Sequence, residues 1–593
     1  MAAQQSAGGV RHEHATLAQN QFLFWMCFIS LVTTAFSFAS RAQVITFIGD
    51  EFNLTETFKG WLLGAGMWPF AIGIVGFSLI VDKIGYKASL FFAWFCHVVS
   101  TFMIVFGPNF WWLFFGTLLV AVGNGTVEAV INPAVATLFT KNKTKWLNIL
   151  HAGWAGGIML GSLVALFLGH IGWRWKIGII LVPAVIYGIM LLKAKFPVSE
   201  RVMAGVSYRD MLKEMGIMGF TVIVYLVSKE LMNIVANLGW AFNGWSEPKM
   251  LAFALIPTII VMVPLGAYIK GAGRGLFLVL MLLMFPLATT ELATDAWIKD
   301  LMSPVFEKNF HIDGGWMLVY SSCVMMILRF NAGKLIGRIG PVGLMIVSSF
   351  AAAIGLAFIG NTQGVWLVVA ATVYAVGQTF FWPTMLGIVG DRFPKGGALT
   401  LNSVSAAGML GVGILGTPLM GLLQDTNINS KLREKDTAAY EQVVTAEKRS
   451  IYGTYKALDP ATVDALEASV PAKEKQIELL FAKLQANQAA IEAANAEIAA
   501  MKKPSSEALQ KLETLRQANA ATIMSVEKMK THVGAAKERL TLIAAIRADA
   551  KRYAITAVAI VPFIMGICYI LLMLWFRSTG GYKVVELKTE GSA

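Results

Sequence analysis

Ser78-Leu-Ile-Val-Asp82-Lys83-Ile84-Gly85-Tyr86-Lys87 and Gly333-Lys-Leu-Ile-Gly337-Arg338-Ile339-Gly340-Pro341 are two versions of one turn, each closing an apolar run. Asp82 and Gly337 lie 337 − 82 = 255 residues apart. A second pair keeps almost the same register: Gly123 with Gly377, and Leu147-Asn148 with Leu401-Asn402, at 377 − 123 = 254 and 402 − 148 = 254. One match is weak evidence; two in register point to a duplicated bundle of membrane helices. Bundles built on such repeats hold their site near the bilayer midplane, where the halves rock around it.

Composition agrees. Of 593 residues, 56% are hydrophobic and 14% charged, with a mean hydropathy of +0.62. Soluble domains carry about 25% charged residues, so most of this chain belongs in lipid. The first twenty residues are polar, and the run from Phe22 is too long and aromatic for a cleavable leader. Cys27, Cys96, Cys323 and Cys568 fall in apolar runs without a CxxC partner, so neither disulfides nor a zinc site is expected. The net charge of +13 is assigned to short cytoplasmic loops rather than to nucleic-acid binding. The sequence has no Walker loop, nucleophile elbow or HExxH. No catalytic residue, metal or cofactor is therefore expected, and His12-Glu13-His14 offers too few ligands for a metal.

Apolar runs long enough to cross a bilayer, about 20 residues, fall at 21–48, 59–80, 88–107, 111–139, 146–168 and 173–193. The repeat offset places the second set at 274–298, 315–333, 342–360, 364–389, 398–423 and 553–576. Lysines and arginines collect at alternate turns, which puts both termini in the cytoplasm of a bacterial-type inner membrane. The expected fold is all-α and polytopic: two six-helix pseudo-repeats with 12 core spans, a two-helix linker hairpin and an antiparallel coiled-coil insertion.

The expected domains are a tail at 1–20, a first bundle at 21–200 and a linker at 201–273. Spans seven to eleven follow at 274–423, then a periplasmic hairpin at 424–552, the last span at 553–576 and a tail at 577–593. The linker holds an amphipathic stretch at 203–214 and two extra apolar runs, 216–238 and 250–270. Lys229, Glu230, Asn233 and Asn237 interrupt the first run, which must bury them or lie on the membrane. In the insertion, Ile477, Leu484, Ile491 and Ile498 are spaced by seven, with Leu480, Ala494 and Met501 three residues after members of that series, which is an a/d seam. After Pro504-Ser505-Ser506 the seam is read through Leu509, Leu512, Ile523, Val526, Val533 and Leu540. This hairpin is a spacer, or a surface for a protein partner or for self-association through 472–550.

The Ser78–Lys87 turn resembles the signature of the major facilitator superfamily, G-x-x-x-D-[RK]-x-G-[RK]-[RK]. Asp82, Lys83, Gly85 and Lys87 match it; Ser78 takes the place of the first Gly and Tyr86 that of one basic residue. The resemblance implies a gating latch at Asp82, Lys83, Gly85 and Lys87, with Arg338 in the second copy. Glu128-Ala-Val-Ile-Asn132-Pro133 followed by Leu147-Asn148-Ile-Leu-His151 resembles the fucose–proton symporter branch. That likeness implies a proton-coupling role for Glu128 and places His151 where the branch has Gln.

The remaining candidates come from polar groups in apolar spans, which are costly and mark substrate or ion paths. Glu128, Glu291 and Asp295 are the candidate proton carriers. Arg41, Gln43, Asn124, Asn132, His151, Gln378 and Trp382 are the candidate substrate contacts. Arg41 and Asp295 are again 254 residues apart, so the register suggests an outer gate pair; Arg41 holding an anionic group and plain snorkelling are the alternatives. His97 is read as a helix–helix hydrogen bond and Arg329 as an anchor near the cytoplasmic interface. The expected function is secondary transport of a small polar solute, sugar-like, by alternating access with a proton. A membrane-anchored sensor whose hairpin docks a partner is the alternative.

Overall fold

A computed structural model describes residues 17–54, 58–59, 62, 64–237, 241–242, 244–313 and 315–587. The His12–His14 reading and most of the two tails' ends lie outside these residues. Among the described residues, 12 helices are long and apolar enough to cross a membrane. Two shorter apolar helices, Trp68–Ile84 and Trp316–Phe330, take the places of the other two expected runs.

The quoted turn does the same thing in both copies. Gly85 ends one helix and starts the next at φ 85°, ψ 155°. Gly340 sits at φ 73°, ψ 166°, a sharp kink between two helical segments within Ala332–Asn361. A side chain at positive φ is disfavoured, so both copies need glycine there. The second register pair is equally physical. A Cβ on Gly123 would stand 2.7 Å from the Cys96 side chain, and one on Gly377 2.3 Å from the Ala352 backbone. Each glycine lets its helix touch the preceding one, as small residues do in membrane packing.

In the linker Lys229 is buried and paired, while Glu230 and Asn233 are half-buried. Lys229 Nζ lies 2.8 Å from Glu247 Oε1, and the lysine side chain is 2% exposed. It also donates to Asn233 Oδ1 at 2.5 Å. The amphipathic stretch forms the first part of Tyr208–Asn237: Met211, Leu212 and Met215 are buried, Asp210 exposed. Gly216, at φ 65°, turns the chain there, and Ile217 N–H donates to Gly271 O at 3.0 Å.

The residues separate into two compact units, one of Leu422–Arg449 and Thr454–Tyr553, the other of everything else. Within the smaller unit, the helix Pro460–Ala500 runs antiparallel to the N-terminal part of Ser506–Val558. Val470 packs on Val533 and Ala536, and Glu474 pairs with Lys537 at 2.7 Å. At 41 residues the first arm reaches ~60 Å at about 1.5 Å per residue. On it the expected seam stands: Ile477, Leu480, Leu484, Ile491 and Ile498 are half-buried and Ala494 is buried. On the second arm two seam residues are corrected. Leu509 and Ile523 are 49% and 41% exposed, while Leu512, Thr522, Val526, Val533, Ala536 and Ile543 are buried. Asn519 and Thr522 occupy that face, so an apolar pattern alone selects the wrong phase. A short β-pair, Ala446–Ser450 with Gly453–Ala457, was not expected.

Candidate functional site

Three prolines shape the centre of the larger unit. A proline inside a helix has no N–H for the carbonyl four residues back. Pro133 thus frees Ala129 O, which accepts from Asn402 Nδ2 at 2.9 Å. Pro383 frees Thr379 O, which accepts from Arg329 Nε at 2.7 Å. Pro286 precedes a wide π turn at Thr289–Ala293. There Thr290 Oγ1 donates to Pro286 O at 2.8 Å, and Tyr374 OH donates to Thr290 O at 2.5 Å. π turns of this kind gather at functional sites, and this one carries Glu291.

Glu128, His151, Glu291, Arg329 and Trp382 line one small cavity of about 30 Å³, together with Trp154 and Phe70. A second chamber of about 60 Å³ shares Trp154, Glu291 and Leu292 with it and adds Asp295, Gln378 and Tyr374. Glu128 Oε2 accepts from Asn132 Nδ2 at 2.6 Å, and Asn132 Oδ1 lies 3.0 Å from His151 Nε2. The motif of the fourth and fifth spans is therefore one hydrogen-bonded chain. Across the cavity, Arg329 Nη2 lies 3.1 Å from Glu291 Oε1, with side chains 1% and 7% exposed. Asp295 Oδ1 accepts from Gln378 Nε2 at 3.1 Å.

Arg329 is the residue the sequence reading misplaced. It stands next to the last residue of Trp316–Phe330, which suggested an interfacial anchor, yet it is fully buried. The signal was a charge balance: three carboxyls inside apolar spans call for a cation among them. Its Nη1 also donates to His151 O at 2.9 Å, tying the second repeat to the first.

Other expected contacts fall elsewhere. Arg41 does not meet Asp295; it lines a different cavity, beside Phe38 and Ile45. Asn124 belongs to a packing network, with Oδ1 2.8 Å from His97 Nε2 and Nδ2 donating to Ser37 Oγ at 3.3 Å. His97 reaches Tyr187 OH at 2.8 Å through its other nitrogen. Gln43 is half-buried and is absent from the described lining of the central chambers.

At the end of the bundle carrying the quoted turn, Asp82 is held by Arg201, from Nη2 at 2.6 Å and Nε at 2.9 Å. Lys83 lies over the Tyr208 ring at 5.0 Å, Lys87 Nζ donates to Leu192 O at 3.0 Å, and Arg338 is exposed. The cation that meets Asp82 thus comes from the linker. The halves touch here through Thr144 Oγ1, donating to Asp391 Oδ2 at 3.0 Å, and Lys143 Nζ, donating to Gly390 O at 3.3 Å. Deeper in, Asn148 Nδ2 donates to Thr384 Oγ1 at 3.2 Å. Asn148 and Asn402, the residues that revealed the repeat, each reach into the opposite half.

Residues 26–298 match the Major Facilitator Superfamily. A D-xylose transporter of Levilactobacillus brevis is 24% identical over 362 residues, covering 59% of this chain and 74% of the relative. A galactose-proton symporter of Escherichia coli is 24% identical over 197 residues, 30% of this chain and 42% of its own. Among solved structures, a proton:xylose symporter superposes with a TM-score of 0.51 at 14% identity, covering 70% of this chain and 90% of the other. A peptide transporter does so at 0.50 and 13%, covering 70% and 91%. At these identities the likeness to the solved structures shows a shared fold.

Proposed function

We propose that this chain is a membrane transporter of the Major Facilitator Superfamily, which its residues 26–298 match, and that it carries a small sugar-like solute together with a proton. The site is the cavity between Glu128, His151, Arg329 and Glu291. One observation carries the reading: Glu128 is buried, and its hydrogen-bond partner is a neutral amide rather than a cation. Burial of a charged group in an apolar surround is penalised unless it is paired, so a carboxyl placed this way exchanges a proton more readily than it keeps a charge. The D-xylose and galactose relatives favour a sugar as the solute. His151 and Gln378 offer hydrogen bonds to hydroxyls, and Trp154 and Trp382 offer flat apolar faces, the usual mixture in a polar-solute pocket.

The two chambers, at about 30 and 60 Å³, are far smaller than the roughly 300 Å³ at which ligand pockets begin. Entry of a solute requires the halves to part. Three contacts between halves then break: Arg329 with His151 O, Asn402 with Ala129 O, and Asn148 with Thr384. Arg329 faces both acids of the cavity. Loss of the proton from Glu128 draws on the guanidinium that holds Glu291, which links proton movement to the strength of a contact across the cleft. We read the Asp82 end as cytoplasmic, from its lysines and arginines, and therefore as the closed gate of this state.

The test is uptake of labelled xylose into proteoliposomes under an imposed pH gradient. Glu128→Gln is expected to abolish gradient-driven accumulation while exchange between equal pools persists. Accumulation at the wild-type level in that variant would remove Glu128 from coupling.

A further inference from the structure

Arg41 is a buried cation without a partner among the described residues. Its residue is 8% exposed, Nη1 is buried with no hydrogen bond, and no ion pair of Arg41 occurs among the described residues. Such a group costs several kcal/mol in a low-dielectric surround unless something completes it. Beside it lies a cavity of about 340 Å³, larger than both central chambers and sharing no described lining residue with them. Its walls are Phe38, Ile45, Ile48, Leu62, Met67 and Leu113, with Thr117 as the other polar side chain and no acidic residue among the described lining. The volume falls at the lower end of the range for small-molecule pockets, about 300–1,000 Å³. One fixed cation at the edge of an apolar chamber selects a ligand of matching build: one anionic head on one apolar body.

We propose that this chamber, inside the first repeat, is a second binding site that takes an organic monocarboxylate, its head on the Arg41 guanidinium and its body among the apolar side chains. A guanidinium fork receives a carboxylate through two parallel N–H donors, and Arg41 Nη1 has no hydrogen-bond partner among the described residues. The site stands apart from the solute cavity. The Phe38 ring, which lines the chamber, lies 6.0 Å from that of Trp154, which lines the central one. The two cavities therefore meet across a pair of aromatic rings, and an occupant of the first sets the packing of a wall of the second.

The ligand has two sources, a free acid from water or a fatty acid from the bilayer, with one recognition chemistry. The experiment uses the full-length protein in a neutral detergent, with thermal unfolding and equilibrium binding read against benzoate and octanoate, and against benzyl alcohol and octanol as uncharged counterparts. The acids are expected to raise Tm saturably and the alcohols are not. In Arg41→Met, which keeps the length and removes the charge, binding of the acids is expected to weaken about 10- to 100-fold, the loss of a charge-assisted hydrogen bond. The ligand-free variant is expected to melt at or above the wild-type temperature, because an unpaired buried charge has gone. Extraction and mass spectrometry separate the sources: a co-purifying fatty acid present in the wild type and absent from Arg41→Met assigns the bilayer, and its absence from both, with benzoate bound, assigns the free acid. No Tm shift and no co-purifying acid overturn the proposal, as does an equal shift in Arg41→Met or with the alcohols.

Discussion

Glu128 and Glu291 face one cavity from opposite repeats and are held in opposite ways. Glu128 leans on the amide of Asn132, which passes the contact on to His151. Glu291 is gripped by Arg329, which spends its other donors on Thr379 O and His151 O. The fold is duplicated and the chemistry is not. The first repeat supplies a buried carboxyl whose partner is a neutral amide, and the second a buried carboxyl paired with a cation. A proton-driven cycle needs both kinds, one group that switches and one contact that responds.

The comparison breaks most visibly at Arg329. Arg329→Met strands the Glu291 charge, and breaking a buried pair from one side costs about 3–5 kcal/mol, so a large fall in thermal stability and loss of uptake are expected. Adding Glu291→Gln removes the stranded charge; most of the stability is expected to return while coupled uptake does not. A single Arg329→Met variant as stable as the wild type would refute the pairing. The Glu128 side gives a smaller effect. Asn132→Leu removes a neutral bridge, and the lost hydrogen bonds are worth about 1–3 kcal/mol. Unfolding measurements are expected to show that loss alongside weakened uptake.

The exposed pair of Glu51 and Arg174, 2.5 Å apart, sets the lower end of the scale. Hydrogen bonds from Arg174 and then Trp173 hold the Glu51 carboxyl below its ordinary range. Its contribution is therefore present above the carboxylate's unfolded value and is lost as pH falls through the depressed one. Solvent screens the pair, so Arg174→Gln is expected to cost less than about 1 kcal/mol at neutral pH. The wild-type and variant melting curves are expected to converge on acidification.

The sequence was most informative where a local rule has one physical cause. Gly85 and Gly340 needed positive φ, and Gly123 and Gly377 needed the absence of a side chain, so the repeat was readable without a structure. Glu128 stood out as an acid in an apolar span and by its motif, Asp295 by its register with Arg41, and Glu291 by standing one turn from Asp295. Partners were harder, because contact is a property of the packed bundle. Asp82 meets Arg201, 119 residues away, rather than the lysines of its own turn. Equal register put Arg41 and Asp295 at matching places in the two repeats, but symmetry gives equivalence and not proximity. Arg329 was hidden by its position near a helix end, and the seam of Ser506–Val558 by two polar residues on its buried face.

The central claim is that Glu128 carries the proton that moves with the solute. The most direct measurement is the pH of a weakly buffered suspension of de-energised, right-side-out vesicles on addition of xylose. Wild-type protein is expected to alkalinise the medium as solute and proton enter together, and Glu128→Gln to give no pH change while xylose counterflow continues. The same alkalinisation in Glu128→Gln, or xylose entry without any pH change in the wild type, would contradict the account.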